Sequence, residues 1–577
     1  MKFVLLFLRL TLFKAEVLKH LRQPQIIESD CVKQWRLMTP SSQNTKGRRE
    51  RPVVFETSPS ELHVTLVVDV ERFESTYVSF NTRTYNGSIP APTIKVCPGD
   101  RLVFHIYNQL DEGHENRTNV HVHGMHVSPE ENHDNVLINI QPGKDRVYDY
   151  RIRQDHPPGT FWYHPHSRGI VNSQISGMMA GTLLVVDRPG NFPKELAKMD
   201  DLVMILQGIC AEDCENEHDS IVNALRNEYT EVKREEMDAG FDVDLDIHGV
   251  SPLNDTSLLH VYVNGQYSPT LPMKVGEWKR LRWLNALANN VVELVAPSCE
   301  MHLLGRDGVY RDGEPKFRDV VILPPGGRAD VALRCTTAGT FFVGSESNPS
   351  RNTLLGKVNS HRAPTQKIVH LLVEDDTSKE FEGWELPIKL PQLAPYMESR
   401  ANYPSELVKA QNKYNYEFSI WFDESSSMKG KSGMSGMPGM AGMQYGVNRK
   451  RMSPHYVNHS MIIDELQEWQ LSVRMYGKNC QGSQTLRTDS MTSCHKMNHP
   501  FHIHSTHFQI IKKTKGFDPD DLLYEIGEWR DTVPLYNSEL TIRFTPRSHM
   551  VGNVLTHCHV SAHADQGMGQ MVQVRES

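Results

Sequence analysis

His557-Cys558-His559, with His563 and Met568 just beyond, limits this 577-residue chain more than any other stretch. A thiolate, imidazoles and a weak axial thioether are the ligands of a blue copper electron-transfer site. Such a site takes one Cys, two His and the Met, so at least one flanking histidine is spare. On a strand, successive side chains leave by opposite faces. Cys558 then faces one way and His557 and His559 the other, and the economical reading is one copper on the sulfur and others on the imidazoles. Adjacent Cα atoms are about 3.8 Å apart, so an electron could pass between the centres through two residues of backbone.

That reading demands more histidine pairs, and the chain has them: His121-Val122-His123-Gly124, His164-Pro165-His166, and His499-Pro500-Phe501-His502-Ile503-His504. An H-x-H pair on a strand puts both imidazoles on one face. One such pair is commonly a surface feature or a satisfied core pair. Four motifs with ten His, one Cys and one Met point instead to converging metal sites.

With these motifs in this order, the chain resembles the multicopper oxidases: laccases, ascorbate oxidase, bilirubin oxidase and bacterial cuprous oxidases. The resemblance covers roughly residues 52 to 577. It implies a blue copper on His499, Cys558 and His563 with Met568 axial, and a trinuclear cluster on the other eight histidines. His121 and His502 would hold a single type 2 copper. His123, His164, His166, His504, His557 and His559 would hold the coupled pair, giving four copper ions in all. The family often places a Glu after the last motif histidine; here Ala564 stands there and Asp565 follows. Asp565 and Asp134 are therefore the candidate proton relays. Val122 replaces the usual Trp, which is not a ligand.

Length alone allows three or four domains. Short β-rich runs such as Glu539-Leu540-Thr541-Ile542-Arg543-Phe544, separated by Gly, Pro and Asn turns, predict an all-β chain of sandwiches or barrels. A diverged repeat supports three similar units. Asn86-Gly87, Asn264-Gly265 and Gly446-Val447-Asn448-Arg449 each precede a strand, a second turn and a further strand, at intervals of about 180 residues. The expected division is a leader or irregular segment over 1–51, then domains over 52–190, 200–375 and 405–577; the resemblance implies Greek-key cupredoxin sandwiches. All ligand motifs fall in the first and third, so the cluster lies between them. The second is expected to act as a spacer.

A formal net charge of −8 argues against a nucleic-acid partner, and no apolar run is long enough to cross a membrane. Met1-Lys2-Phe3-Val4-Leu5-Leu6-Phe7-Leu8 resembles a secretion signal, though Arg9 interrupts it; a secreted or otherwise extracytoplasmic, monomeric protein is expected. Eight cysteines remain besides Cys558, an even number that permits disulfides. Proximity suggests Cys480 with Cys494 and Cys210 with Cys214, with buried free thiols as the alternative. The acidic stretch 212–246 reads as a solvated face.

The expected activity is oxidation of a donor, one electron at a time, coupled to reduction of O2 to water. The run 428–443 places Met434, Met437, Met440 and Met443 at every third position among Gly and Ser, a composition suited to a flexible loop. Soft thioethers select Cu(I), and bacterial cuprous oxidases carry a Met-rich insertion in a similar place. Met497 matches a substrate-copper methionine of that group, while His495 stands where the group has Asp. A reduced metal ion, Cu(I) first, is thus the favoured donor. Laccase-like oxidation of small phenols is the alternative, and a copper-binding protein without turnover is the third reading. A three-domain nitrite reductase is disfavoured, because the H-C-H and doubled H-x-H motifs imply a trinuclear cluster.

Overall fold

A computed structural model describes residues 19–38, 60–75, 79–113, 116–210, 259–345, 363–422, 443–476, 498–515, 523–536 and 539–576. The signal-like start, the acidic stretch, Met434, Met437, Met440, Met497, Cys214, Cys480 and Cys494 lie outside them. Met443 opens a strand, Met443–Val447.

Alternating apolar residues pair the strands into six sheets, stacked two by two around separate cores. Leu66, Phe104, Ile106, Tyr163 and Leu183 fill the first, Leu206, Trp283, Leu294 and Val331 the second, and Phe418, Trp469, Phe501, Ile542 and Cys558 the third. The chain is all-β, three cupredoxin-like sandwiches in succession.

One device recurs in each. The opening strand (Glu61–Glu74, Asp200–Cys210 or Lys413–Phe422) pairs antiparallel with the next strand and parallel with a later one in the same sheet. Between those two partners the chain crosses to the opposite sheet through a tight turn. Both central residues of the turn have positive φ: Asn86 and Gly87 (55° and 65°), Asn264 and Gly265 (51° and 71°), Asn448 and Arg449 (49° and 60°). Asn tolerates this region because its side chain bonds nearby backbone. Here each Asn reaches the opening strand in the same way, accepting one N–H (Val67, Ile205, Glu417) and donating to the carbonyl two residues earlier (Thr65, Val203, Asn415), at 2.7–3.0 Å. Those two bonds pin the crossover in all three units and allow Arg449 to stand where the others have Gly.

The expectation that residues 1–51 are irregular needs correcting. Ile26–Glu28 adds a parallel edge strand to Ala91–Val96, and a helix follows over Asp30–Met38. Cys31 of that helix is bonded to Cys97, and Cys299 to Cys335. No helix among the described residues is long and apolar enough to cross a membrane.

Candidate metal centre

Register brings the motif histidines together within each sandwich. His121 lies opposite His164 and His123 opposite Trp162 at the edge of the first; in the third, His502 lies opposite His557 and Phe501 opposite Cys558. Alternation does the rest: Cys558 is buried within the third core, while His557 leaves by the other face and meets His166 of the first sandwich.

Cys558 Sγ sits 3.7 Å from His499 Nδ1 and 3.8 Å from His563 Nδ1. Tyr445 stacks on the His563 ring with centroids 4.7 Å apart. Met568 is fully buried in the same core, and its peptide group ties the loop together: its carbonyl accepts the Cys558 N–H and its N–H donates to the His563 carbonyl. Burial pushes the Cys558 thiol up, so a thiolate there needs a cation beside it.

The other eight histidines form three groups whose ligating atoms lie within 4.8 Å of one another: His121, His123 and His502; His123, His164 and His559; His166, His504 and His557. His557 Nε2 is 3.2 Å from both His166 Nε2 and His504 Nε2, and His559 Nε2 is 3.3 Å from His123 Nδ1. The outer nitrogens are held. His121 Nδ1 bonds the Asp134 carboxylate at 2.8 Å, His164 Nδ1 the Pro165 carbonyl, His502 Nδ1 the Asp531 carbonyl and His557 Nδ1 the Cys558 carbonyl. The inward Nε2 atoms of His121, His164 and His502 are buried without a hydrogen-bond partner. Such atoms cost free energy unless something satisfies them.

Desolvation, reinforced by the neighbouring imidazoles, holds these rings in the neutral form. His121, His123, His164, His502, His504 and His559 are all driven well below the usual histidine range. Burial takes His166 to about 3 and His557 to about 4. Neutral imidazole is the form that binds a metal. Converging lone pairs, with unpartnered buried nitrogens among them, are what a copper cluster requires, so the residues present fit the group.

Of the two candidate relays, Asp134 touches the site. Its carboxyl holds His121 and the Val122 N–H, and burial pushes its pKa up. Asp565 lies against the first sandwich. Its two oxygens accept the backbone N–H groups of Gly169, Val171 and Asn172 at 2.8–3.3 Å, binding the third sandwich to a short helix, Val171–Ser176, of the first. The middle sandwich is more than a spacer: Gly326 lies against His559, and Arg328 reaches Asp531, which accepts from His123. These contacts are made only in the folded chain, and no local motif announces them.

Known proteins resemble this chain. Models of the multicopper oxidase family match residues 70–190 and 485–577. Both matches fall on the sandwiches that carry the ligand motifs, and they support a multicopper oxidase, an oxidoreductase that uses O2. A "Multicopper oxidase mco" of Staphylococcus aureus is 22% identical over 86% of this chain and 84% of its own. The "Iron transport multicopper oxidase FET5" of Saccharomyces cerevisiae is 21% identical over 84% and 75%. Among solved structures, a multicopper oxidase from Campylobacter jejuni described as a metallo-oxidase superposes with a TM-score of 0.61, covering 97% of this chain and 98% of that one at 22% identity.

Proposed function

We propose that this multicopper oxidase takes electrons from a reduced metal ion, Cu(I) first, and holds four coppers to do so. His499, Cys558, His563 and Met568 would hold the blue copper. His121 and His502 would hold the type 2 ion, and His123, His164 and His559 with His166, His504 and His557 the type 3 pair. The observation that carries this assignment is the burial of inward-facing imidazole nitrogens with no partner of their own. Bound there, the coppers supply a one-electron acceptor and the four-electron store needed to take O2 to two waters.

The protein's own part is geometric. Cys558 presents sulfur to one face of its strand and joins by backbone to His557 and His559 on the other, so adjacent residues would link the two centres. All eight cluster histidines are buried, which excludes bulk water. Asp134 holds the proton on His121 Nδ1 and keeps Nε2 bare.

The metal-ion donor is supported by the Met434, Met437, Met440 and Met443 run, whose thioethers suit Cu(I), and by relatives described as an iron-transport oxidase and a metallo-oxidase. Two disulfides fit an oxidising compartment and hence an extracytoplasmic location. Copper analysis of the purified chain should return about four ions, from the ligand sets above, together with a blue thiolate band. O2 uptake should then be compared with Cu(I), Fe(II) and a small phenol as donors. Faster turnover of the phenol than of either ion would replace the metal-ion reading with a laccase-like one.

A further inference from the structure

The eight cluster histidines do not all face inward by the same atom. His121, His164, His502 and His557 have Nδ1 bonded outward and Nε2 inward. His166, His504 and His559 likewise turn Nε2 toward another cluster ring. His123 is reversed. Its Nδ1 faces His559 Nε2 at 3.3 Å, and its Nε2 points away, toward Asp531 Oδ1 at 3.2 Å and Thr532 Oγ1 at 3.1 Å. A neutral imidazole carries one proton, and the hydrogen bond at one nitrogen decides which nitrogen is bare.

The carboxylate that sets this tautomer is itself held from the middle sandwich. Arg328 grips Asp531 with both ends of its guanidinium, Nη1 to Oδ1 at 2.7 Å and Nη2 to Oδ2 at 2.5 Å. Both side chains are wholly buried. Arg328 is fixed in turn by the carbonyls of Gly326 and Thr160. Room for the pair comes from Gly124, directly after His123: a Cβ there would lie 2.5 Å from both Arg328 Nη2 and Asp531 Oδ2, at a φ of +85°. The fourth residue of the first motif is thus explained by the ion pair behind it.

We propose that Arg328 is a positioning residue for the metal cluster: through Asp531 it keeps His123 with Nε2–H outward and Nδ1 inward, so the middle sandwich sets one ligand of a site built by the other two. This rests on the copper assignment above. Metal-bound histidines depend on such outer partners for orientation, typically by about 10–100-fold in affinity or activity. A planar fork and a single ammonium are not equivalent in holding a carboxylate.

The test uses the full-length protein with Arg328→Lys and Arg328→Met, each compared with wild type by cooperative melting, copper per chain, the blue band, and the rate at which the pre-reduced protein is reoxidised by O2. The expected result is an unchanged blue band in the folded variants, with copper lost from the cluster and reoxidation slowed by about ten-fold or more, the Met variant worse than Lys. Were Arg328→Met not to fold, the Lys variant alone would decide. Variants that melt earlier but keep full copper and wild-type reoxidation would reduce Arg328 to a structural ion pair and overturn the proposal. A wild-type protein with neither copper nor blue band would instead remove the copper assignment itself.

Discussion

Gly326→Ala is the sharpest probe of how closely the middle sandwich approaches the cluster. A Cβ at Gly326 would lie 2.6 Å from His559 Nε2 and 2.7 Å from its Cδ2 and Cε1. Ordinary contact begins near 3.4 Å, so ring or loop must move by 3.4 − 2.6 = 0.8 Å. The loop cannot swing away easily, because the Gly326 carbonyl accepts from Arg328 and its N–H donates to Asn285. Metal–ligand distances tolerate about 0.2 Å, and a misplacement near 1 Å can cost about 100-fold in rate. The backbone adds its own cost: φ is +77°, worth about 1–2 kcal/mol for a residue with a Cβ. Overpacking adds about 1–3 kcal/mol. The variant should therefore lose about 2–5 kcal/mol of stability, and O2 reduction should fall by about two orders of magnitude. Its blue band should persist, since Cys558 faces the other side of the strand. Gly383→Ala is the control, with a φ of +72° and nothing within 4 Å. It should pay the backbone cost alone and keep full activity. Measured by melting, copper content and oxygen uptake, a Gly326→Ala protein as active as Gly383→Ala would refute the close approach.

Cys558→Ser should abolish the blue band and donor oxidation while cluster copper stays bound, because the Cys558 carbonyl that holds His557 Nδ1 remains; a blue variant would mean the thiolate ligand lies elsewhere. His166→Ala should keep the blue band but stall after reduction by donor, and turnover at the wild-type rate would place the O2 site away from His166. Deleting 428–443 should weaken Cu(I) oxidation at low ion concentration while sparing a bulky phenol. Equal losses on both donors would point to a structural role for that segment.

Which histidines converge was legible because each pair is a local statement: H-x-H on or at the end of a strand keeps the two imidazoles close together, and cross-strand register completes the group. The repeat was legible for a similar reason, since Asn86, Asn264 and Asn448 each satisfy a turn within one unit. Asp565 sits among ligands in sequence, yet its carboxylate accepts the backbone N–H groups at the start of a helix in another sandwich, a contact no spacing announces. Residues 19–38 read as irregular because their strand finds its partner, Ala91–Val96, only after the first sandwich forms. Chain proximity likewise gave no hint of the bonds Cys31–Cys97 and Cys299–Cys335. Arg328, Asp531 and Gly326 carry no motif that points to histidines hundreds of residues away.

The cluster is divided between the two ends of the chain, and this has a consequence for the order of assembly. His121 to His166 emerge during synthesis roughly 340 residues before His502, which at about 5–20 residues per second is an interval of tens of seconds. Once the first sandwich folds, His121 and His164 are already opposed across a strand pair, so under the proposed assignment copper present in that interval would meet only half of its ligands. Copper supplied after the third sandwich has docked meets all eight imidazoles at once. The full set of eight imidazoles therefore exists only once the two ends of the chain have docked.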